Sequence, residues 1–232
     1  MSYKETNMEP KSSHKMDDKE RMKPDDVPFD WIETIVSAWK GHRRFAMWLV
    51  KYLKPEEIVD LGVDYGYSTF TWQHALMKYQ QKGMVTGIDL FQGDPQTGAR
   101  NTFDFVKKKI LDEALTSIDI VVGDFQEVSE TWSRDRKVDI IHIDGYHSKE
   151  AVTKDFNNWF HWLRDDGVML FHDVNVQHPG FGVEEFFNEL QVPEYQKLKF
   201  LHSAGLGILT KNKVLYQHIL TEFSGLNGVM RL

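Results

Sequence analysis

Residues 138–173 read VDIIHIDGYHSKEAVTKDFNNWFHWLRDDGVMLFHD, the densest run of chemically useful side chains in this chain. Asp144 closes one short apolar run, and His147 follows it on a loop. His172 and Asp173 close the next apolar run. If the two runs are neighbouring strands, Asp144, His172 and Asp173 converge beyond their carboxyl ends. Carboxylates with an imidazole suit a hard or borderline divalent ion. All-oxygen sites favour Mg²⁺, and a histidine ligand tilts the choice toward Mn²⁺. The expected ligands are therefore Asp144, His172 and Asp173; the bland alternative is that Asp144 and Asp173 only orient loops or a cofactor amine. His147 suits a general base, because an unperturbed imidazole titrates at about pH 6.5. His147 and Asp144 form the expected catalytic pair. His142, alternating inside the first run, reads as a packed strand residue, and Asp155 as a solvent or helix contact.

These side chains need a scaffold, and the rest of the sequence supplies its pattern. Strand-like runs at 58–62, 84–89, 117–124, 138–144 and 167–173 alternate with helical segments at 68–79, 99–115, 125–132, 149–163 and 183–190. Two further apolar runs, 197–202 and 206–211, stand too close for a helical crossover and must pair antiparallel. Strand and helix in alternation predict an α/β fold with a doubly wound, mostly parallel seven-stranded sheet ending in an antiparallel hairpin. That is the element order of the Rossmann-like class I methyltransferase fold. Residues 28–53 carry apolar positions at helical spacing and predict one or two helices on the sheet. Residues 1–27 are polar and aperiodic, which predicts a flexible arm preceding a single domain at 28–232.

In such a sheet the ligand lies beyond the carboxyl ends of the strands. The first strand runs into DLGVDYGYS, with Asp60, Gly62, Gly66 and Ser68 around a tight turn before a helix. The spacing is G-x-x-x-G rather than the dinucleotide G-x-G-x-x-G, and it suits an amino-acid end group better than a pyrophosphate. Asp89 ends the second strand, where an acid takes ribose hydroxyls. Asp124 and Phe125 follow the third, where an acid and a ring suit an adenine amine and its face. Each signal alone is modest. Their order over three consecutive strand ends describes S-adenosylmethionine.

The 232 residues carry a formal net charge of −7, are 41% hydrophobic and contain no cysteine. The acidic balance speaks against a phosphate-gripping nucleic-acid partner. The missing cysteine removes disulfides, cysteine-zinc sites and thiol nucleophiles. No apolar stretch reaches membrane-span length and the first residues lack a signal-peptide centre, so a cytoplasmic location is expected.

The stretch HIDGYHSKEAVTKDFNNWFHWLRDDGVMLFHDVNV, with PGFGVEEFFNEL and FLHSAGLGIL, resembles class I methyltransferases found beside or fused to glycosyltransferases of surface-polysaccharide and viral glycan pathways. These are similar in turn to the metal-dependent methyltransferases of macrolide sugars and the cephalosporin pathway. The resemblance spans about residues 55–210. It implies that Asp144 and Asp173 are metal ligands and His147 the base, while His172 falls where the antibiotic-pathway relatives carry Glu. It implies that the Gly62–Ser68 turn, Asp89 and Asp124 contact S-adenosylmethionine. The acceptor it implies is a saccharide hydroxyl, for instance of rhamnose or another deoxysugar, with a glycosyltransferase as partner and the host cytoplasm as location if the source is viral. Two rivals stand beside it: a phenol- or catechol-type O-methyltransferase, and a non-catalytic subunit of the same fold. Oligomeric state is left open.

Overall fold

The computed structural model describes residues 30–96, 98–133, 135–223 and 229–231. The arm expected at 1–27 lies outside them. Short 3₁₀ turns at Asp30–Thr34 and Ala38–His42 lead into α1 (Arg43–Leu53). Then follow β1 (Glu57–Leu61), α2 (Tyr67–Lys78), β2 (Met84–Asp89), the two-residue strands β3 (Gly93–Asp94) and β4 (Gly98–Ala99), and α3 (Phe103–Asp112). The second half runs β5 (Ile118–Val122), α4 (Phe125–Thr131), β6 (Val138–Ile143), α5 (Lys149–Trp159), β7 (Leu163–His172) and α6 (Val183–Glu189). It closes with β8 (Gln196–Phe200), β9 (Leu206–Thr210), α7 (Lys213–Phe223) and β10 (Val229–Arg231).

The main sheet is ordered β10-β8-β9-β7-β6-β1-β2-β5. Strands β5, β2, β1, β6 and β7 are parallel, and β9 pairs antiparallel with both β7 and β8. The expected architecture is present, with β10 added as an eighth edge strand. Period-two side-chain alternation divides the core between the two faces. Ile58, Ile140, Val168 and Leu170 pack with α1, α2 and α7 on one face. Val59, Leu61, Ile141, Ile143, Met169 and Phe171 pack with α5 and α6 on the other. Each such fully buried side chain contributes about 1.5–3 kcal/mol, which holds the strand ends in fixed register.

Three differences from the sequence pattern matter. The helix expected from residue 99 begins at Phe103, because Gly93–Asp94 and Gly98–Ala99 pair antiparallel ahead of it. Strand β7 starts at Leu163, four residues before the apolar run. Helix α7 packs beyond the predicted hairpin, with Leu215, Ile219 and Phe223 buried.

The strand order reverses at β1, which has β2 on one side and β6 on the other. The crevice this creates opens at the ends carrying Gly62, Asp89, Gly123 and Asp144.

Candidate active site

A cavity of about 760 Å³ occupies that crevice. Gly62 adopts φ +98°, and a Cβ there would collide with the Asp144 carbonyl oxygen. Glycine therefore lets the ends of β1 and β6 close together, helped by the Asp144 N–H donating to the Leu61 carbonyl at 2.8 Å. Asp89 stands at the end of β2 and lines the cavity. The Asp64 and Phe91 N–H groups donate to its two carboxylate oxygens at 2.9 and 2.7 Å, which fixes the carboxylate plane. Asp124 caps α4; Oδ1 accepts both cap bonds, from the Gln126 and Glu127 N–H groups. Phe125, Ser68 and Gly62 also line the cavity.

Two expected cofactor contacts are placed differently. Asp60 is fully buried behind the turn and does not line the cavity. It accepts from Ser68 Oγ at 2.7 Å and Thr69 Oγ1 at 2.5 Å, and from His142 Nδ1–H at 2.6 Å. The Trp39 indole N–H donates to His142 Nε2, which leaves the proton on Nδ1. Asp60 thus anchors the first turn of α2 to β6 instead of meeting a ligand. Gly66 is likewise outside the lining; with φ +85° it starts α2, where a side chain would strike Phe70.

At the other end of the cavity, Asp144, His147 and Asp173 each offer one ligand atom, all within 4.8 Å of one another. His147 Nε2 lies 2.9 Å from Asp173 Oδ2 and 4.0 Å from Asp144 Oδ1. Asp173 holds a left-handed φ of 61°, rare outside glycine, at the point where β7 gives way to a turn. His172, expected as a ligand, lies outside this three-residue group. Its Nδ1 faces Asp144 Oδ1 and Asp173 Oδ2, both at 3.2 Å, and its Nε2 faces the Ser203 carbonyl at 3.1 Å. Both ring nitrogens meet acceptors, so the imidazolium is the favoured state. Burial works against that charge, and Asp144 and Asp173 outweigh it, raising the pKa well above the usual value. In that state the ring braces the two carboxylates from behind.

Gln96 carries no local signal in the sequence. Its Oε1 accepts from His147 Nδ1–H at 2.7 Å, and its Nε2 donates to the Gly180 carbonyl at 2.9 Å. Phe181 stacks on the His147 ring with centroids 4.5 Å apart and planes 10° from parallel. The Gly182 N–H donates to the His147 carbonyl at 2.7 Å. The β3–β4 hairpin and the loop before α6 therefore grip His147 from two sides.

Residues 59–174, half of the chain, match a family model described as "Methyltransferase domain". The chain belongs to that methyltransferase family. A curated relative, the uncharacterized protein y4gI of Sinorhizobium fredii, is 34% identical over 211 residues. That match covers 84% of this chain but only 22% of the relative, so the chain spans about a fifth of its length. Among solved structures, the SAH-bound methyltransferase PaMTH1 of Podospora anserina superposes with a TM-score of 0.59 at 13% identity, covering 78% of this chain and 84% of that one. The O-methyltransferase TomG of Streptomyces achromogenes, in complex with SAM, gives 0.57 at 16% identity, covering 76% and 81%. An O-methyltransferase of Bacillus cereus in complex with SAH gives 0.57 at 17%, covering 76% and 83%. At such identities the shared property is the fold, a class I methyltransferase fold. Among the described residues no helix is long and apolar enough to cross a membrane.

Proposed function

We propose that this protein transfers the methyl group of S-adenosylmethionine to a hydroxyl oxygen of a saccharide. The observation that carries the reading is the pairing, in one cavity, of strand-end acids suited to a nucleoside with the Asp144–His147–Asp173 group. Bound S-adenosylmethionine supplies an already activated methyl group on a sulfonium. Asp89 is the residue for its ribose hydroxyls, Asp124 and Phe125 for its adenine, and the Gly62–Ser68 turn for its amino-acid end.

The two carboxylates of Asp144 and Asp173, with His147 beside them, fit a hard divalent cation, Mg²⁺ or Mn²⁺. The negative charge of the two carboxylates, which raises the pKa of both neighbouring imidazoles, supports that reading. Asp144 and Asp173 would hold the ion. An ion so held would bind vicinal hydroxyl oxygens and lower the pKa of one. Neutral His147 accepts the hydroxyl proton at Nε2, where Asp173 then stabilises the imidazolium formed, while Gln96 engages its Nδ1–H and fixes the ring. Most of the protein's remaining contribution is placement of the acceptor oxygen in line with the methyl group.

The sequence resemblance favours a deoxysugar such as rhamnose in a surface or viral glycan, with a glycosyltransferase as partner. A phenolic acceptor is favoured by one observation, the aromatic side chains of Tyr65, Phe91, Tyr146 and Phe181 along the cavity wall. A panel of saccharides and catechols incubated with S-adenosylmethionine and read by mass spectrometry separates the two. Methylated saccharide supports the proposal, methylated catechol alone supports the second reading, and cofactor binding without transfer to any acceptor points to a non-catalytic subunit.

A further inference from the structure

Helix α5 presents a buried acid that the proposed reaction does not use. Asp155 is 7% exposed and lines the cavity on the side of Phe125 and Asp124. Among the described residues its carboxyl group has no hydrogen-bond or ion-pair partner. A carboxylate this largely buried and unpaired is costly unless water, a ligand or a proton from the cavity satisfies it. The corner is built to bring it close. A Cβ on Gly145 would stand 2.6 Å from the Phe125 ring and 3.2 Å from Asp155 Oδ2, so glycine lets ring and acid share one wall. The charged groups acting on Asp155 are Asp124, at the start of the α4 helix packed against α5, and Lys154 on its own helix.

We infer that Asp155 reads the adenine edge of the cofactor, its carboxyl group accepting from the exocyclic amine and donating to the adjacent ring nitrogen. This rests on the S-adenosylmethionine reading of the cavity. A carboxylate offers acceptors only and would face the ring nitrogen's lone pair, whereas a carboxylic acid offers the donor and the acceptor that this edge needs. Burial, reinforced by Asp124 and opposed by Lys154, pushes the Asp155 pKa up to about 7, so the acid form is accessible near neutral pH. Phe125 covers the ring, Asp124 stands at one side, and Asp155 closes the edge.

The test is calorimetric binding of S-adenosylhomocysteine to the full chain and to Asp155→Asn and Asp155→Ala, from about pH 6 to about pH 8. The amide of Asp155→Asn also carries a donor and an acceptor but does not titrate. The expected result is wild-type affinity falling by up to about tenfold across that range while Asp155→Asn stays flat. Asp155→Ala should bind about tenfold more weakly at the acid end. Wild type and Asp155→Asn tracking each other, or Asp155→Ala binding like wild type, would overturn the inference. If the alanine variant fails to fold, the comparison of wild type with Asp155→Asn decides alone. Absence of binding to wild type at either pH would overturn the cofactor reading and this inference with it. Binding that ignores Asp155 would overturn this inference alone.

Discussion

His147 Nε2 stands 2.9 Å from Asp173 Oδ2, joining the loop after β6 to the end of β7. The opposite nitrogen is engaged by Gln96. Burial pulls the imidazole pKa down, and the Asp173 hydrogen bond and charge, with Asp144 behind them, outweigh it and raise it. If His147 is the proton acceptor, its neutral form is the active one. The turnover rate should then climb with pH through an apparent pKa set by this imidazole. His147→Ala should lose roughly 10²–10⁴-fold in rate, the usual worth of a positioned base. A pH–rate profile on both proteins checks this, and near-normal turnover by the alanine variant would remove His147 from the role.

Gln96 gives a second expectation. Gln96→Ala frees the His147 ring and cuts the link from the β3–β4 hairpin to Gly180. Loss of a partner of this kind costs about 10–100-fold in activity or metal affinity. Steady-state kinetics should show the fall, while calorimetry should show S-adenosylhomocysteine binding nearly unchanged, because Gln96 does not itself line the cavity.

Asp89→Ala should weaken S-adenosylhomocysteine binding by about 1.5–3 kcal/mol, the usual cost of a lost hydrogen bond to a charged group. The same substitution releases the Asp64 and Phe91 N–H groups, so Asp89→Asn, which keeps one acceptor oxygen, should lose less. Unchanged affinity in both variants would move the ribose elsewhere.

His42 offers a stability test independent of catalysis. The ring is fully buried, its Nε2–H donates to the Ser203 carbonyl at 3.0 Å, and its Nδ1 has no partner. Burial, and then the charges of His172 and His202, push its pKa down to about 2. The unfolded chain protonates this histidine below about pH 6.5 and the folded chain does not. The sign follows: its contribution is intact above that pH and is lost as pH falls, by about 1.4 kcal/mol per unit. Denaturant melts at pH 7 and about pH 5 should show wild type losing about 2 kcal/mol more than His42→Gln. Equal losses would show that the folded protein accommodates the charge.

The strands and their acidic ends were legible because local patterns encode them: period-two apolar runs, and acids placed just after each. The convergence of Asp144 with Asp173 followed from neighbouring parallel strands. What the sequence hid depends on distant chain segments or very short ones. Gln96 meets His147 across 51 positions, from a hairpin whose strands have two residues each, below any readable period. The turning of His172 toward Ser203 depends on a β8–β9 turn in which Ser203, Ala204 and Gly205 all take positive φ. Asp60 looked like a ligand contact because it sits in the glycine turn, and only the packing of His142 from β6 shows it occupied from behind.

The most direct measurement is the rate of methyl transfer from labelled S-adenosylmethionine to a saccharide acceptor by protein stripped of metal with EDTA. The account predicts that the stripped protein is inactive, that added Mn²⁺ or Mg²⁺ restores the rate, and that Asp173→Ala is not restored. Full transfer by the metal-free protein would contradict it.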